Sequence, residues 1–354
     1  MSSKILLKFF KYYWTFIEAP LHRFRKTPPP SARNLLIARF DGLGDFFLLV
    51  PHLQALAEKG FQITCIGPAF QKRICTYLSL DITCIPFVPG SFHELSQTVL
   101  EVQKQSFSHA FNLSMNAWGG IIVNRSFSAA KTGLLQEKEH YVYKGARLFY
   151  NKTESFDPTM HGFNVLTSVF ANAIGDYSAT PRIHRPHTDT GTVLIHPYAN
   201  WKPRMWPGFP ALIQRLAGDG IELKIIGTKD EHESSPATRE VSHKVNCSIV
   251  TLDSIEHLLT EIDRAGYFIG NDSGPAHYAA LIGKPTYVLW GPGYYERVRP
   301  LGTDVHIFIK PAACRPCRQR GDICSDGDNH CLRDIPVDEV FAAIRTRINE
   351  RNDR

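Results

Sequence analysis

The densest chemistry in the chain lies in Asn271-Asp272-Ser273-Gly274-Pro275-Ala276-His277, which sets a carboxylate, a hydroxyl and an imidazole close together. Residues 265–269 before it are short, apolar and aromatic, the pattern of a buried strand. Residues 276–282 after it are good helix formers. Pro275 is tolerated in a first helical turn, and Asp272 and Ser273 are natural caps. The spacing predicts a strand, a tight turn and a helix N-terminus. Such a terminus offers unpaired N–H groups and a partial positive charge, which suits a phosphate. An ordinary capped helix would account for the same residues.

A second arrangement of this kind begins at residue 34. Residues 34–39 read as a buried strand, Phe40-Asp41-Gly42-Leu43-Gly44-Asp45 as a loop, and 46–59 as a helix containing Pro51. Gly42 and Gly44 form the loop but lack the third glycine of a dinucleotide fingerprint. Asp45 would place a carboxylate at a helix start near the C-terminal edge of a parallel sheet, where open α/β sheets bind ligands. A simple N-cap is its competing reading. In the second half, Lys202 and Arg204 lie in the loop 198–207 after a strand at 192–197. Glu231 follows a strand at 222–227.

Cys314, Cys317, Cys324 and Cys331 form a separate signal with the spacing C-x2-C-x6-C-x6-C. Four thiols offer the soft donor set of a tetrahedral zinc or iron site. The spacing is not that of a common finger, and Arg315, Arg318, Asp322, Asp326 and Asp328 are interspersed. A disulfide pair and free thiols stand beside the metal reading. None of the three makes the cysteines catalytic.

Strand and helix alternate through both halves, so the elements positioning these residues belong to an α/β chain. Its 354 residues suggest two domains with ample core. Further strands are expected at 62–66, 82–85 and 109–113, and a helix at 93–104. A polar linker follows at 175–189, then strands at 248–250 and 285–290 and helices at 211–218, 254–264 and 337–351. No apolar run reaches the length of a membrane span. Five of the six net positive charges lie in residues 1–30, and the near-neutral remainder argues against broad nucleic-acid binding. Residues 1–26 read as an amphipathic helix whose polar stripe is Lys4, Lys8, Lys11, Thr15 and Glu18, with aromatics around it. That composition suits a helix lying on an anionic membrane surface. Packing on the protein's own body or on a second subunit, or targeting, are the alternatives. Residues 27–31 then form a proline linker.

Five blocks, in this order, resemble glycosyltransferase family 9, the heptosyltransferases of lipopolysaccharide core assembly. They are Arg39 to Asp45 with Leu49 and Pro51; His196-Pro197 with Lys202, Arg204 and Trp206-Pro207; Gly227 to Glu231; Asp272 to His277; and Pro285 to Pro292. Two departures stand out. Arg204 takes the place of the family's lysine before Trp-Pro, and Thr228 that of a second glycine.

The resemblance implies a GT-B fold: two facing Rossmann-like domains with the active site in the cleft between them, preceded here by the amphipathic helix. Its expected parts are the helix and linker at 1–30, an acceptor domain at 31–178, a nucleotide-sugar domain at 190–335 with the cysteine cluster at 314–331, and a C-terminal helix at 336–354. The implied reaction is inverting, metal-independent transfer of a heptose from an ADP-heptose-type donor to a core hydroxyl. No cofactor is implied for catalysis. Asp45 would be the base, made more basic by burial. Lys202, Arg204, Ser273, Gly274 and His277 would hold the donor diphosphate, Glu231 the ribose, and Asp272 the sugar or the turn. His277 reads equally well as a structural histidine, and Trp206 reads as packing beneath its loop. The implied partners are the nucleotide sugar, a lipid-anchored saccharide acceptor and, through residues 1–26, the inner face of a bacterial inner membrane. Another nucleotide sugar, a protein acceptor, a sugar-nucleotide epimerase and a silent binding subunit are the competing functions.

Overall fold

A computed structural model describes residues 33–136, 149–157, 159–185, 188–245, 247–317, 324 and 329–352. The helix expected at 1–26 and most of the loop between Cys317 and Cys331 lie outside the described residues. The chain divides into two compact units, the first ending at Thr180 and the second beginning at Pro181. The segment Leu43–Leu48 belongs to the second unit.

The first unit is built on the parallel strands β1 (Asn34–Ala38), β2 (Gln62–Gly67), β3 (Thr83–Pro86), β4 (Ser106–Asn112), β5 (Phe127–Gln136) and β6 (Lys152–Phe156). They lie in the order β3-β2-β1-β4-β5-β6. The helices α1 (Leu43–Glu58), α2 (Ala69–Tyr77), α3 (Phe92–Val102), α4 (Ala117–Arg125) and α5 (Gly162–Ile174) connect or follow them. Parallel strands are covered on both faces, so they read as unbroken apolar runs. Leu35, Leu36, Ile37 and Ala38 are fully buried. Each large aliphatic among them contributes about 1.5–3 kcal/mol relative to exposure. That fixes the strand end from which the loop 39–42 departs.

The second unit repeats the plan with β7 (Val193–His196), β8 (Leu223–Gly227), β9 (Cys247–Thr251), β10 (Tyr267–Asn271), β11 (Thr286–Trp290) and β12 (Val305–Ile309). Their order is β12-β11-β10-β7-β8-β9, with every pairing parallel. Its helices are α6 (Phe209–Gly218), α7 (Lys229–Ser234), α8 (Pro236–Lys244), α9 (Ile255–Arg264), α10 (Gly274–Leu281), α11 (Tyr295–Val298), α12 (His330–Arg333) and α13 (Val337–Asn352). Its core joins Ile195, Trp206, Phe209, Ile269, Leu289 and Ile344.

Read from its own first strand, each sheet has the order 3-2-1-4-5-6 of a Rossmann fold. The strand order reverses between β1 and β4 in one unit and between β7 and β10 in the other. Ligands bind outside the carboxyl ends of the strands at that reversal. The segments that follow carry Asp45 in the first turn of α1 after β1, Lys202 and Arg204 after β7, and Asp272 after β10.

Candidate active site

In the first unit, the loop after β1 is tied down from two sides. The Phe40 N–H donates to Ser114 Oγ at 2.6 Å, and Ser114 Oγ donates to Asp41 at 2.7 Å. Arg39 pairs with Asp41 at 2.9 Å and donates to the Leu113 carbonyl at 3.2 Å. From α2, Gln71 Nε2 donates to the Arg39 carbonyl at 2.8 Å. The loop's path is thus set by side chains after β4 and on α2, beyond its own glycines.

Gly42 is the N-cap of α1, and Asp45 sits in that helix's first turn, where a carboxylate is favoured by the helix dipole. Pro51 cannot donate to the carbonyl one turn before it. The change of unit falls close by, after Leu48. Within the second unit, Leu43–Leu48 packs against the start of α10. Phe47 and Tyr278 rings lie 5.1 Å apart. A Cβ on Gly44 would come within 2.9 Å of the His277 ring, and one on Gly274 would strike Leu43. The glycine beside Asp45 is what permits this approach.

The turn after β10 centres on Asn271, fully buried. Its Nδ2 donates to the Pro197 carbonyl at 2.9 Å, and its Oδ1 accepts the Trp206 N–H at 3.0 Å. One amide therefore clamps both ends of the loop that carries Lys202 and Arg204. Trp206 is buried beneath that loop, and its Nε1 donates to the Ile335 carbonyl at 3.2 Å. Lys202 and Arg204 bound a short 3-10 turn with Pro203 buried between them. Lys202 is exposed. Arg204 lies over the Trp201 ring at 5.6 Å.

Arg204 Nε stands 3.4 Å from Asp272 Oδ2, and neither atom makes a hydrogen bond among the described residues. Asp272 is only 3% exposed. Burial pushes its pKa up to about 6, Arg204 opposes that, and the Asp45 charge adds to it. Asp45, Arg204 and Asp272 therefore form one charged group around the start of α10. Ser273 is the N-cap of α10 but donates to the Asn271 carbonyl at 3.3 Å, so its hydroxyl does not cap the helix. His277 is buried one turn in.

Glu231 stands apart, on α7. One of its oxygens accepts the Thr228 N–H at 2.8 Å while Thr228 Oγ1 accepts the Glu231 N–H, a capping box. The other lies 3.6 Å from His196 Nε2. Burial alone would raise its pKa, but His196 and Thr228 hold it down to about 2.

Residues 97–326 match glycosyltransferase family 9 (heptosyltransferase). The chain belongs to that family. The matched residues contain four of the five blocks, and the block from Arg39 to Pro51 precedes them. A curated relative, lipooligosaccharide heptosyltransferase 2 of Campylobacter jejuni, is 27% identical over 128 residues, which is 34% of this chain and 39% of the relative. A family 9 glycosyltransferase structure from Veillonella parvula superposes with a TM-score of 0.74 at 18% identity, covering 92% of this chain and 100% of that one. E. coli heptosyltransferase WaaC with ADP gives 0.68 at 16% identity, covering 90% and 99%. The two parallel-sheet, Rossmann-like units have the GT-B fold of these heptosyltransferases.

In this family 9 chain, the cysteine segment adjoins the loop after β11. Arg315 Nε donates to the Gly291 carbonyl at 2.8 Å, and the Cys317 N–H donates to the Pro292 carbonyl at 3.0 Å. Gly293, next in that loop, lies so close to Asp272 that a Cβ there would strike its carboxylate. Cys331 is pushed up by burial, with Arg315 opposing and the charges of Cys314, Cys324 and Cys317 adding. Among the described residues, none of the four is in a disulfide. Among the described residues no three His, Cys, Asp or Glu side chains are arranged to hold a metal ion. Also among them, no helix is long and apolar enough to cross a membrane.

Sequence reasoning missed Asn271, Ser114 and Gln71 as positioning residues. Asn271→Ala is expected to cost about 1–3 kcal/mol, because it leaves a buried carbonyl and a buried N–H unpaired. Urea denaturation checks this. Asn271→Asp keeps the acceptor for Trp206 but sets an oxygen against the Pro197 carbonyl, so it should be no milder.

Proposed function

We propose that the chain transfers a heptose from an ADP-heptose-type donor to a hydroxyl of a lipopolysaccharide core acceptor, with inversion and without a catalytic metal. The observation that carries this reading is the Arg204–Asp272 pair at the start of α10, with the first turn of α1, which bears Asp45, packed against that same helix start. The second unit takes the nucleotide sugar and the first takes the acceptor. Asp45 accepts the proton of the acceptor hydroxyl as its oxygen bonds to the anomeric carbon. The bond from that carbon to the diphosphate breaks, and ADP leaves with the electron pair. Arg204, Lys202 and the N–H groups of Ser273 and Gly274 receive the diphosphate charge, with His277 beside them. Asp272 orients the sugar against Arg204. Glu231, held ionised by its neighbours, accepts from the ribose hydroxyls. Incubation with ADP-heptose and a heptose-deficient core acceptor in the presence of a chelator should extend the acceptor by one heptose. No extension and no binding of any ADP-sugar would reject the donor.

Residues 1–26 are proposed to hold the chain on the anionic cytoplasmic leaflet of the inner membrane, beside its lipid-anchored acceptor. Their basic, aromatic composition supports this. The full chain should co-sediment with anionic vesicles and the chain lacking residues 1–26 should not. Equal sedimentation of both would remove that role.

Cys314, Cys317, Cys324 and Cys331 are proposed to hold a structural zinc or iron. As placed among the described residues, they do not close into a metal site, so the support is the soft donor set. Purified protein should contain one such metal per chain, and a strong chelator should lower its Tm. Metal-free protein whose four thiols all react with a thiol reagent in the native state would contradict the reading.

A further inference from the structure

A second group of thiols lies at the edge of the first sheet. Cys65 in β2 and Cys84 in β3 sit opposite one another in the parallel register. Cys75 is on α2, the helix that connects those two strands, and its thiol is hydrogen-bonded to that of Cys84. Cys65 and Cys75 are buried, whereas Cys84 is partly exposed. β3 is the edge strand of its sheet among the described residues. Lys72, one turn before Cys75 on α2, places a positive charge near Cys84. None of these groups takes part in the proposed transfer.

We propose that Cys84 is a site of oxidation by hydroperoxides and that Cys75 resolves it to an intramolecular disulfide. Redox-active thiols combine solvent access, a neighbouring cation and a second thiol within reach, and Cys84 has all three. The hydrogen bond from Cys75, and then the Lys72 charge, hold the Cys84 thiol below its ordinary range against the effect of burial. Cys75 is raised, first by that same hydrogen bond and then by burial, so it keeps its proton. In the first step the Cys84 sulfur attacks the outer peroxide oxygen and the O–O bond breaks. The alkoxide or hydroxide that leaves takes up the proton released by Cys84, and Cys84 becomes a sulfenic acid. In the second step the Cys75 sulfur attacks the Cys84 sulfur, the S–O bond breaks, and water leaves with the Cys75 proton. Two thiols lose two electrons and the peroxide gains them.

Gln71, one helical turn before Cys75, steadies the Arg39 carbonyl at the root of the loop leading to Asp45. A disulfide between α2 and β3 therefore constrains the helix that supports that loop. This consequence for activity rests on the proposed role of Asp45; the disulfide does not.

The test is a peptide map of the full chain after brief treatment with stoichiometric hydrogen peroxide and alkylation of the remaining thiols. The expected result is a Cys75–Cys84 linked peptide that dithiothreitol removes. Cys84→Ser should abolish it, and Cys75→Ser should let Cys84 run on to sulfinic acid. A Cys84 that stays alkylatable, that stops as sulfinic acid in the wild type, or that links instead to Cys65 would overturn the proposal. The wild-type map decides the matter even if the buried Cys75→Ser variant does not fold. With the link confirmed, a transfer rate that falls on oxidation and returns on reduction supports the coupling to the loop. An unchanged rate removes the coupling alone.

Discussion

Asp45→Asn is expected to lower kcat by about 10²–10⁴-fold, the usual contribution of a general base. The affinity for ADP should stay close to that of the wild type. Asp45 is in the first turn of α1, where loss of a carboxylate costs only about 0.3–1 kcal/mol of stability. A loss of activity of the expected size would therefore not come from unfolding. Asparagine keeps the shape and a hydrogen-bonding oxygen but cannot take a proton at neutral pH. Single-turnover kinetics with ADP-heptose, together with calorimetric titration of ADP, separate the two effects. Turnover retained at the wild-type rate would take Asp45 out of its role and leave the donor site standing.

Arg204→Ala is expected to lower kcat by about 10²–10³-fold, the range seen when one preorganised donor to a developing negative charge is removed. Unlike Asp45→Asn, it should also weaken ADP binding. Two effects combine here. The leaving diphosphate loses a fixed positive charge, and the buried Asp272 loses the cation 3.4 Å away. With Arg204 gone, Asp272 should titrate higher still, since Arg204 opposes the rise that burial causes. Arg204→Lys should fall between the two, because an ammonium restores the charge without the fork of the guanidinium. The Asp272→Asn variant separates the effects: if Arg204 acts mainly on the diphosphate, removing Asp272 will not restore the activity of Arg204→Ala. Steady-state kinetics on the single and double variants check this.

The centre of each sheet was legible because its strands are buried on both faces. Residues 35–38 and 193–195 are unbroken aliphatic runs, the pattern of parallel strands covered on both faces. The motif 272–277 was legible for a related reason, since cap residues and Pro275 mark a helix start locally. β5 was not. Its sequence holds Ser128, Lys131 and Thr132, all buried. Lys131 is accommodated by donating its ammonium to the Asn124 carbonyl at 2.6 Å, and burial brings its pKa down to about 8. A lysine in such a place reads from sequence as surface, so the strand carries no apolar signature. β6, with Lys152 and Glu154, is hidden in the same way as a polar edge strand.

Within the candidate site, the charged residues proposed to act directly could be picked out from the sequence, and those that position their loops could not. Asp45, Arg204 and Asp272 announce a charge wherever they fall. Asn271 matters because it bonds to Pro197 and Trp206, partners far away in sequence. Ser114 and Gln71 likewise act on a loop that precedes them by dozens of residues. The role of Thr228 was visible only as a departure from the family pattern. In the structure it engages Glu231 in a capping box, which explains why a hydroxyl serves there.

The measurement that bears most directly on the account is the anomeric configuration of the product made from ADP-heptose and a core acceptor, read from the one-bond carbon–hydrogen coupling at the newly linked anomeric carbon. With Asp45 as the proposed base and the start of α10 as the proposed diphosphate site, a single displacement is expected, so the configuration should be opposite to that of the donor. A product that keeps the donor's configuration would require a nucleophile on the enzyme itself and would contradict the assignment of Asp45 as a base.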